Sequence, residues 1–263
     1  MKSWEEYCKS IDIPKRTAND WLLRAFGESK ESTEDIKEPK TTKAEWDLLE
    51  GNCLDILPTL KEKSIDLCYA DPPYYRTEEE WDQFKDINEY LSFTKEWIQK
   101  VIPLLKEEYH FFINFSSEYF ADLEIICREL KLPIRSRIIW RHGNMSEGKQ
   151  ITNQFGRIYD PILHIGNKEL NLPQKWGNER FDVWDFAIPQ TNFEDKKIHK
   201  TQKPIELIKR IVELGSDNDS RILDPFAGSG TTGIVCWELN RDFTLIEQNP
   251  DFIKLIKDKR GIQ

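Results

Sequence analysis

Residues 221–232 read Arg-Ile-Leu-Asp-Pro-Phe-Ala-Gly-Ser-Gly-Thr-Thr, a short apolar run followed by a loop that contains two glycines. The run predicts a strand over Arg221–Leu223, and the residues after the loop predict a helix over Thr231–Leu239. Because glycine has no Cβ, the backbone of such a loop can approach a ligand closely. The segment therefore predicts a ligand site at the carboxyl end of a strand in an open α/β sheet.

The glycine loop has an acidic partner on the next predicted strand, Phe243–Ile246, which ends at Glu247. A carboxylate in this place can accept hydrogen bonds from the hydroxyls of a ribose. The run Gly228–Gly233 also fits the G-x-G-x-x-G pattern of NAD-binding folds, which is a weak signal alone. A Walker loop is excluded because no Lys-Ser or Lys-Thr pair follows the glycines. The alternatives without a ligand are a tight turn and a solvated carboxylate.

A second group of residues, Asp71-Pro72-Pro73-Tyr74, directly follows the predicted strand Ile65–Ala70. Two prolines fix their own φ angles and exclude the helical region for the residue before them, which gives a rigid corner. The Asp71 carboxylate and a backbone carbonyl can together accept both N–H groups of a nucleobase amino group. This favours a tetrahedral nitrogen whose lone pair attacks a sulfonium methyl group. Tyr74 would stack on the extruded base; the alternative is a structural turn.

The rest of the chain predicts an α/β fold, because short apolar strands alternate with amphipathic helices from about Trp46 onward. Further strands are predicted over His110–Phe115, Ser136–Trp140 and Pro161–Ile165, and further helices over Asn88–Ile102, Glu118–Leu130, Pro204–Leu214 and Pro250–Lys259. Residues 1–27 predict a small helical appendage, either a cap or a helix-turn-helix that enters DNA. Residues 28–44 are charged and predict a linker.

Together, the two groups resemble the motifs of amino-methylating DNA methyltransferases, and their order, catalytic motif first, resembles the β class of that family. The run His199–Pro204 is similar to the family's His-x-Thr-x-Lys-Pro motif. Gly51–Asp55 resembles the segment that contacts the adenine of the cofactor, although many members have Asp where this chain has Asn52. The resemblance covers residues from about Trp46 to Arg260.

The resemblance implies a Rossmann-like S-adenosylmethionine-dependent methyltransferase sheet that is circularly permuted, within a catalytic domain over residues 45–263. It implies target-recognition elements at about residues 141–198 and direct methyl transfer without a metal. The implied catalytic residues are Asp71, Pro72, Pro73 and Tyr74. The implied cofactor-binding residues are Asn52, Cys53, Asp71, Lys203, Asp224, Phe226, Ala227, Gly228, Ser229, Gly230, Glu247 and Gln248.

Composition bears on partners and on location. The net charge of −9 weighs against nucleic acid, whereas a basic middle stretch (Arg135, Arg137, Arg141, His142, Lys149 and Arg157) weighs for it. The five cysteines form no C-x-x-C pair, and neither a signal pattern nor a membrane span is present, so a cytoplasmic protein is expected. The expected partner is double-stranded DNA, with a cognate restriction endonuclease and a homodimer left open.

Adenine N6 is the expected target, because Asp at the first motif position favours adenine in the family whereas Ser is more usual for cytosine. Cytosine N4 is the nearest alternative, since the same amino chemistry applies. Methylation of cytosine C5 is disfavoured because it needs a nucleophilic cysteine, usually after proline, and the chain has no Pro-Cys. An NAD-dependent dehydrogenase does not explain Asp71–Tyr74. A catalytically idle DNA-binding regulatory module is the alternative from another class.

Overall fold

The computed structural model describes residues 44–76, 82–142, 156–172, 180–189 and 202–259. The predicted appendage at 1–27, the predicted linker except Ala44, and parts of the predicted recognition region at 141–198 lie outside these ranges. The strands are β1 (Trp46–Glu50), β2 (Ile65–Ala70), β3 (Leu105–Asn114), β4 (Ile134–Arg141), β5 (Tyr159–Gly166), β6 (Val183–Asp185), β7 (Arg221–Asp224) and β8 (Asp242–Glu247). The helices are α1 (Cys53–Ile56), α2 (Ile87–Val101), α3 (Phe120–Glu129), α4 (Ile205–Gly215), α5 (Thr231–Glu238) and α6 (Pro250–Lys259).

The described strands form one mixed sheet in the order β1-β8-β7-β2-β3-β5-β4-β6. The strands from β1 to β3 in this order are parallel, β5 is antiparallel to both β3 and β4, and β6 is parallel to β4. Strand β7, near the end of the chain, pairs with β2, near its beginning, so that Leu67 lies opposite Ile222 and Cys68 opposite Leu223. This pairing confirms the predicted α/β sheet and its circular permutation.

The core lies on both faces of the sheet, which is why the central strands are nearly continuous apolar runs. On one face, Trp97 and Ile98 of α2 are fully buried with Phe111 of β3. On the other face, Ile208 and Ile211 of α4 are fully buried. Burying each such side chain contributes roughly 1.5–3 kcal/mol relative to exposure. Helices packed on both faces leave the carboxyl ends of the parallel strands as an open edge.

The predicted elements agree with the structure except at two strands, at the short helix α1, which was not predicted, and at some ends. β3 begins five residues before its predicted start, because Leu105 pairs with Ile65 at the beginning of β2. The sequence did not single out β1 or β6 as strands. β1 is short and half-buried and, among the described strands, pairs with β8 alone, while β6 has three residues and pairs with β4. No helix of the described residues is both long and apolar enough to cross a membrane.

Candidate active site

One cavity of about 1140 Å³ lies at the carboxyl ends of β1, β2, β7 and β8. This is the edge at which open α/β sheets bind their ligands. All the residues that the sequence predicted for the site line it except Gly230, namely Asn52, Cys53, Asp71, Pro72, Pro73, Tyr74, Lys203, Asp224, Phe226, Ala227, Gly228, Ser229, Glu247 and Gln248. The fold therefore brings together two segments that lie about 150 residues apart in the chain.

The proline corner carries Asp71 into this cavity, where both of its carboxylate oxygens have partners. Oδ1 accepts hydrogen bonds from the Tyr74 hydroxyl at 2.8 Å and from Nδ2 of Asn114 at 3.2 Å. Oδ2 pairs with Nζ of Lys203 at 2.5 Å. Burial, followed by the Asp71 charge, raises the pKa of Tyr74 well above its usual value, so the phenol stays a donor. Asp71 is thus held in one orientation from three sides.

The residues after the corner are held by Asp82, which the sequence analysis did not single out. Its carboxylate is almost fully buried and accepts three backbone N–H bonds, from Tyr74 and Tyr75 at 2.6 Å each and from Arg76 at 2.9 Å. Tyr75 has a φ of +54°, which is uncommon for a residue other than glycine. The Tyr90 hydroxyl donates to the Pro73 carbonyl at 3.1 Å. These bonds hold the backbone of the corner and of the residues after it in place.

The two glycines of the loop are glycine for different physical reasons. Gly228 has φ +51°, and a Cβ there would meet nothing closer than the Phe226 carbonyl oxygen at 4.0 Å. Gly230 has φ +80° and begins α5, and a Cβ there would lie 2.8 Å from Cγ1 of Ile256 on α6. Gly228 therefore leaves open space on the cavity wall, whereas Gly230 lets two helices pack closely and does not line the cavity.

Two buried carboxylates hold the glycine loop. Asp224 accepts from the backbone N–H of Phe226 at 2.9 Å and from the Thr232 hydroxyl at 2.5 Å, and burial raises its pKa to about 7. Glu247 accepts from the backbone N–H of Gly228 at 2.7 Å and of Asn249 at 2.8 Å, and burial also raises its pKa. Since each carboxylate oxygen has two lone pairs, Glu247 can still accept from a ligand hydroxyl.

The remaining predicted residues have other structural tasks as well. Asn52 begins α1, and its side-chain oxygen accepts from the backbone N–H of Leu54 at 2.9 Å. Cys53 is the only cysteine of the described residues that lines the cavity, and burial raises its pKa to about 12. A thiol with that pKa is a poor nucleophile at neutral pH. Lys203, besides pairing with Asp71, has its Nζ 5.2 Å from the centroid of the Tyr74 ring.

The side of the cavity formed by β4 and β5 is polar, and the sequence motifs did not indicate it. Trp140 of β4, His142 directly after β4 and Asp160 of β5 line it, and Tyr69 of β2 lines the same cavity. Nε2 of His142 lies 3.3 Å from Oδ2 of Asp160, which is close enough for an ion pair if the ring is protonated but does not form a hydrogen bond. Among the described residues, no cluster of three His, Cys, Asp or Glu side chains could hold a metal ion.

The four arginines of the basic middle stretch are neutralised by ion pairs in the fold, and Lys149 lies outside the described residues. Its arginines pair with carboxylates: Arg135 with Glu169 at 2.8 Å, Arg137 with Glu124 at 2.5 Å, Arg141 with Asp185 at 2.5 Å and Arg157 with Glu118 at 3.4 Å. A cation that is already paired attracts a phosphate less strongly than a free one. The stretch is therefore weaker support for DNA binding than its composition indicated.

Comparisons with known proteins agree with this geometry. Residues 65–258 match the model of the N6/N4 methyltransferase family, described as DNA methylase. The chain is 30% identical to the DNA adenine methyltransferase YhdJ of Escherichia coli over 79% of this chain and 80% of that protein. It is 31% identical to the type II methyltransferase M.HpaI of Haemophilus parainfluenzae over 81% and 73%. The crystal structure of an M1.HpyAVI–SAM complex superposes with a TM-score of 0.67 at 23% identity, covering 83% of this chain and all of that one.

Proposed function

The chain belongs to the DNA methylase family, and from this premise we propose that it transfers a methyl group from S-adenosylmethionine to the exocyclic N6 of adenine in double-stranded DNA. The adenine target is supported by Asp71 at the first position of the catalytic motif and by similarity to a relative named as a DNA adenine methyltransferase. The family includes N4 enzymes as well, so family membership by itself does not distinguish adenine from cytosine.

One observation carries the proposal, which is the pairing of β2 with β7. Each strand ends at one of the two motifs, and parallel neighbours end at the same edge of the sheet. The pairing therefore supports a single site in which a ligand on the glycine loop faces the corner at Asp71. The NAD-dependent alternative has no use for an Asp-Pro-Pro-Tyr corner on that cavity.

The residues of the loop fit S-adenosylmethionine. The open space at Gly228 can admit a ligand close to the backbone, and Glu247 at the end of β8 has free lone pairs for ribose hydroxyls. Asn52 and Cys53 would contact the adenine end, and the loop from Phe226 to Gly230 the methionine portion. Asp224 would act from beneath the loop by fixing its shape. When bound, the cofactor supplies an electrophilic sulfonium methyl group.

The catalytic task of the chain is to orient the amino group and to receive its charge. The Asp71 carboxylate and the carbonyl after it accept the two N–H bonds, so the nitrogen lone pair is directed at the methyl group. A new N–C bond forms as the S–C bond breaks, and the nitrogen then loses one proton to solvent or to Asp71. Lys203 and Asn114 hold Asp71 in the accepting orientation. Much of the rate gain would come from this positioning.

Incorporation of labelled methyl groups tests the proposal. The purified protein is incubated with radiolabelled S-adenosylmethionine and unmodified genomic DNA, and sequencing then maps the modified bases. We expect N6-methyladenine at a fixed short sequence. Mapping of N4-methylcytosine instead would favour the alternative target, and cofactor binding without any methylation would favour an idle regulatory module.

A set of variants links the activity to the corner. Asp71→Ala removes the acceptor and should abolish turnover while the Kd for S-adenosylmethionine changes little. Asp258→Ala, which changes an exposed aspartate on α6, is the matched control and should retain full activity. Unchanged activity of Asp71→Ala would refute the assignment of Asp71.

Partners and location beyond DNA itself remain expectations. A cognate restriction endonuclease is supported by similarity to a relative named as a type II methyltransferase, and cleavage protection of the mapped sequence would test it. A homodimer is tested by light scattering of the purified protein. A cytoplasmic location is tested by cell fractionation.

A further inference from the structure

The buried hydroxyl of Tyr69 on β2 has no hydrogen-bond partner among the described residues. Tyr69 is 2% exposed and lines the cavity, yet its hydroxyl makes no hydrogen bond to any described residue. Leaving such a group unsatisfied costs about 1–3 kcal/mol. A native fold that keeps this cost on a cavity wall usually reserves the group for a ligand or water.

The position of Tyr69 in the chain relates it to the catalytic corner. Tyr69 is the second-last residue of β2 and lies two residues before Asp71, and both residues line the same cavity. Its ring packs in the core under α4 with Ile138, Trp140 and Ile208. Burial and then the charge of Asp71 raise the pKa of Tyr69 well above its usual value, so the hydroxyl keeps its proton and can donate.

We propose that the Tyr69 hydroxyl donates a hydrogen bond to the ring nitrogen that shares an edge with the amino group of the bound base. The inference rests on the proposed function. In adenine this nitrogen is N1 on the Watson–Crick edge or N7 on the major-groove edge. The acceptor Asp71 and the donor Tyr69 then match an amino group beside a ring acceptor.

Where the ring acceptor is N1, the pair of residues would select amino bases against keto bases. In guanine and thymine the corresponding Watson–Crick edge presents a carbonyl acceptor beside a ring N–H donor. Against that edge, Asp71 would face an acceptor, and the Tyr69 hydroxyl would face a donor. Mismatched polar groups of this kind in a buried site are rejected strongly. Tyr69 therefore acts as a specificity residue that contacts the substrate, alongside the catalytic Asp71.

The test uses Tyr69→Phe and duplexes that contain the sequence mapped for the wild-type protein. The target adenine is kept, or replaced by 1-deazaadenine or by 7-deazaadenine, each of which lacks one candidate ring acceptor. For each duplex the single-turnover rate constants of wild type and variant are compared as a ratio, so that the analogue's own effect cancels. Where an analogue is not methylated, the Kd values of wild type and variant for that duplex, measured with S-adenosylhomocysteine bound, are compared as a ratio instead.

We expect Tyr69→Phe to lower the rate constant on adenine about 10-fold, since 1.4 kcal/mol corresponds to a factor of ten. The loss should fall below about 2-fold on one of the two analogues, which identifies N1 or N7. The melting temperature should not fall and the Kd for S-adenosylmethionine should not rise, because the hydroxyl has no partner in the described residues. Tyr109→Phe, a half-buried tyrosine that does not line the cavity, should match wild type.

Three results would overturn the inference: no loss on adenine, an equal loss on all three duplexes, or a loss explained by weaker cofactor binding. A lower melting temperature with an equal loss on all duplexes would identify a purely structural tyrosine. A failure of the proposed function has a separate signature, which is that the wild-type protein itself incorporates no methyl groups into DNA.

Discussion

The two glycines of the cofactor loop should respond differently to the same substitution. Gly230→Ala places a residue with a side chain at φ +80° and a Cβ 2.8 Å from Cγ1 of Ile256. The left-handed conformation costs roughly 1–2 kcal/mol, and overpacking typically adds about 1–3 kcal/mol. The smaller entropy of the unfolded alanine chain offsets about 0.4–1 kcal/mol. We therefore expect Gly230→Ala to lower the free energy of unfolding by about 3 kcal/mol.

Gly228→Ala is the matched comparison, because it shares the left-handed backbone but lacks the clash. Its net cost should be about 1 kcal/mol or less once the unfolded-state term is included. The new methyl group would, however, occupy the cavity wall. We expect Gly228→Ala to weaken S-adenosylmethionine binding at least 10-fold, while correctly folded Gly230→Ala binds the cofactor within about 3-fold of wild type.

Urea unfolding gives the stabilities and isothermal titration calorimetry gives the cofactor Kd values. A double-mutant cycle adds Ile256→Ala, which removes the side-chain atoms of the clash. Gly230→Ala should then cost about 1–2 kcal/mol less than it does in the wild-type background, since contacting residues are coupled. The reasoning fails if the alanine cost at Gly230 is the same with and without Ile256, or if Gly228→Ala is the more destabilising substitution.

Three further substitutions test the carboxylates and the lysine. Asp224 has its pKa raised from 3.8 to about 7, so its contribution to stability is complete below about pH 3.8 and is lost as the pH rises to about 7. The resulting decrease in the free energy of unfolding is about 4 kcal/mol at most, and Asp224→Asn should abolish it. Urea unfolding at pH 4 to 8 measures the free energy of unfolding of both proteins. Asp82→Ala leaves three backbone donors without their acceptor and should cost about 3 kcal/mol and lower kcat, measured by thermal unfolding and methyl transfer. Lys203→Met breaks the ion pair with Asp71 and should lower kcat at least 10-fold, whereas Lys203→Arg keeps the charge and should retain more activity. Steady-state kinetics measures both variants, and equal kcat values for the two would contradict the role of the charge.

The site could be predicted in part because its motifs are local. Two prolines after Asp71 constrain the backbone whatever surrounds them. The glycines at 228 and 230 indicate a loop, and both have a left-handed backbone conformation in the structure. The order of the two motifs along the chain predicted the permuted sheet, because both must reach one ligand. The pairing of β2 with β7 agrees with that prediction.

The supporting residues could not be predicted because their partners are distant in the chain or are backbone groups. Asp82 is buried against three backbone N–H groups, and no residue pattern near it in the sequence indicates this. Asn114 reaches Asp71 only because β3 lies beside β2. The sequence of the basic stretch likewise indicates a charged surface. The fold shows that its arginines are paired with carboxylates from other parts of the chain.

The sequence by itself determined the alternation of strands and helices, the corner at Asp71, the glycine loop and the family, since each depends on residues close together in the chain. Tertiary structure alone decided which glycine faces a cavity and which faces Ile256, which cation meets Asp71, and that the Tyr69 hydroxyl is left without a partner among the described residues. The physical reason is that burial and pairing are properties of neighbours in space. A side chain's own identity fixes its chemistry, but packing against distant segments fixes what that chemistry contacts.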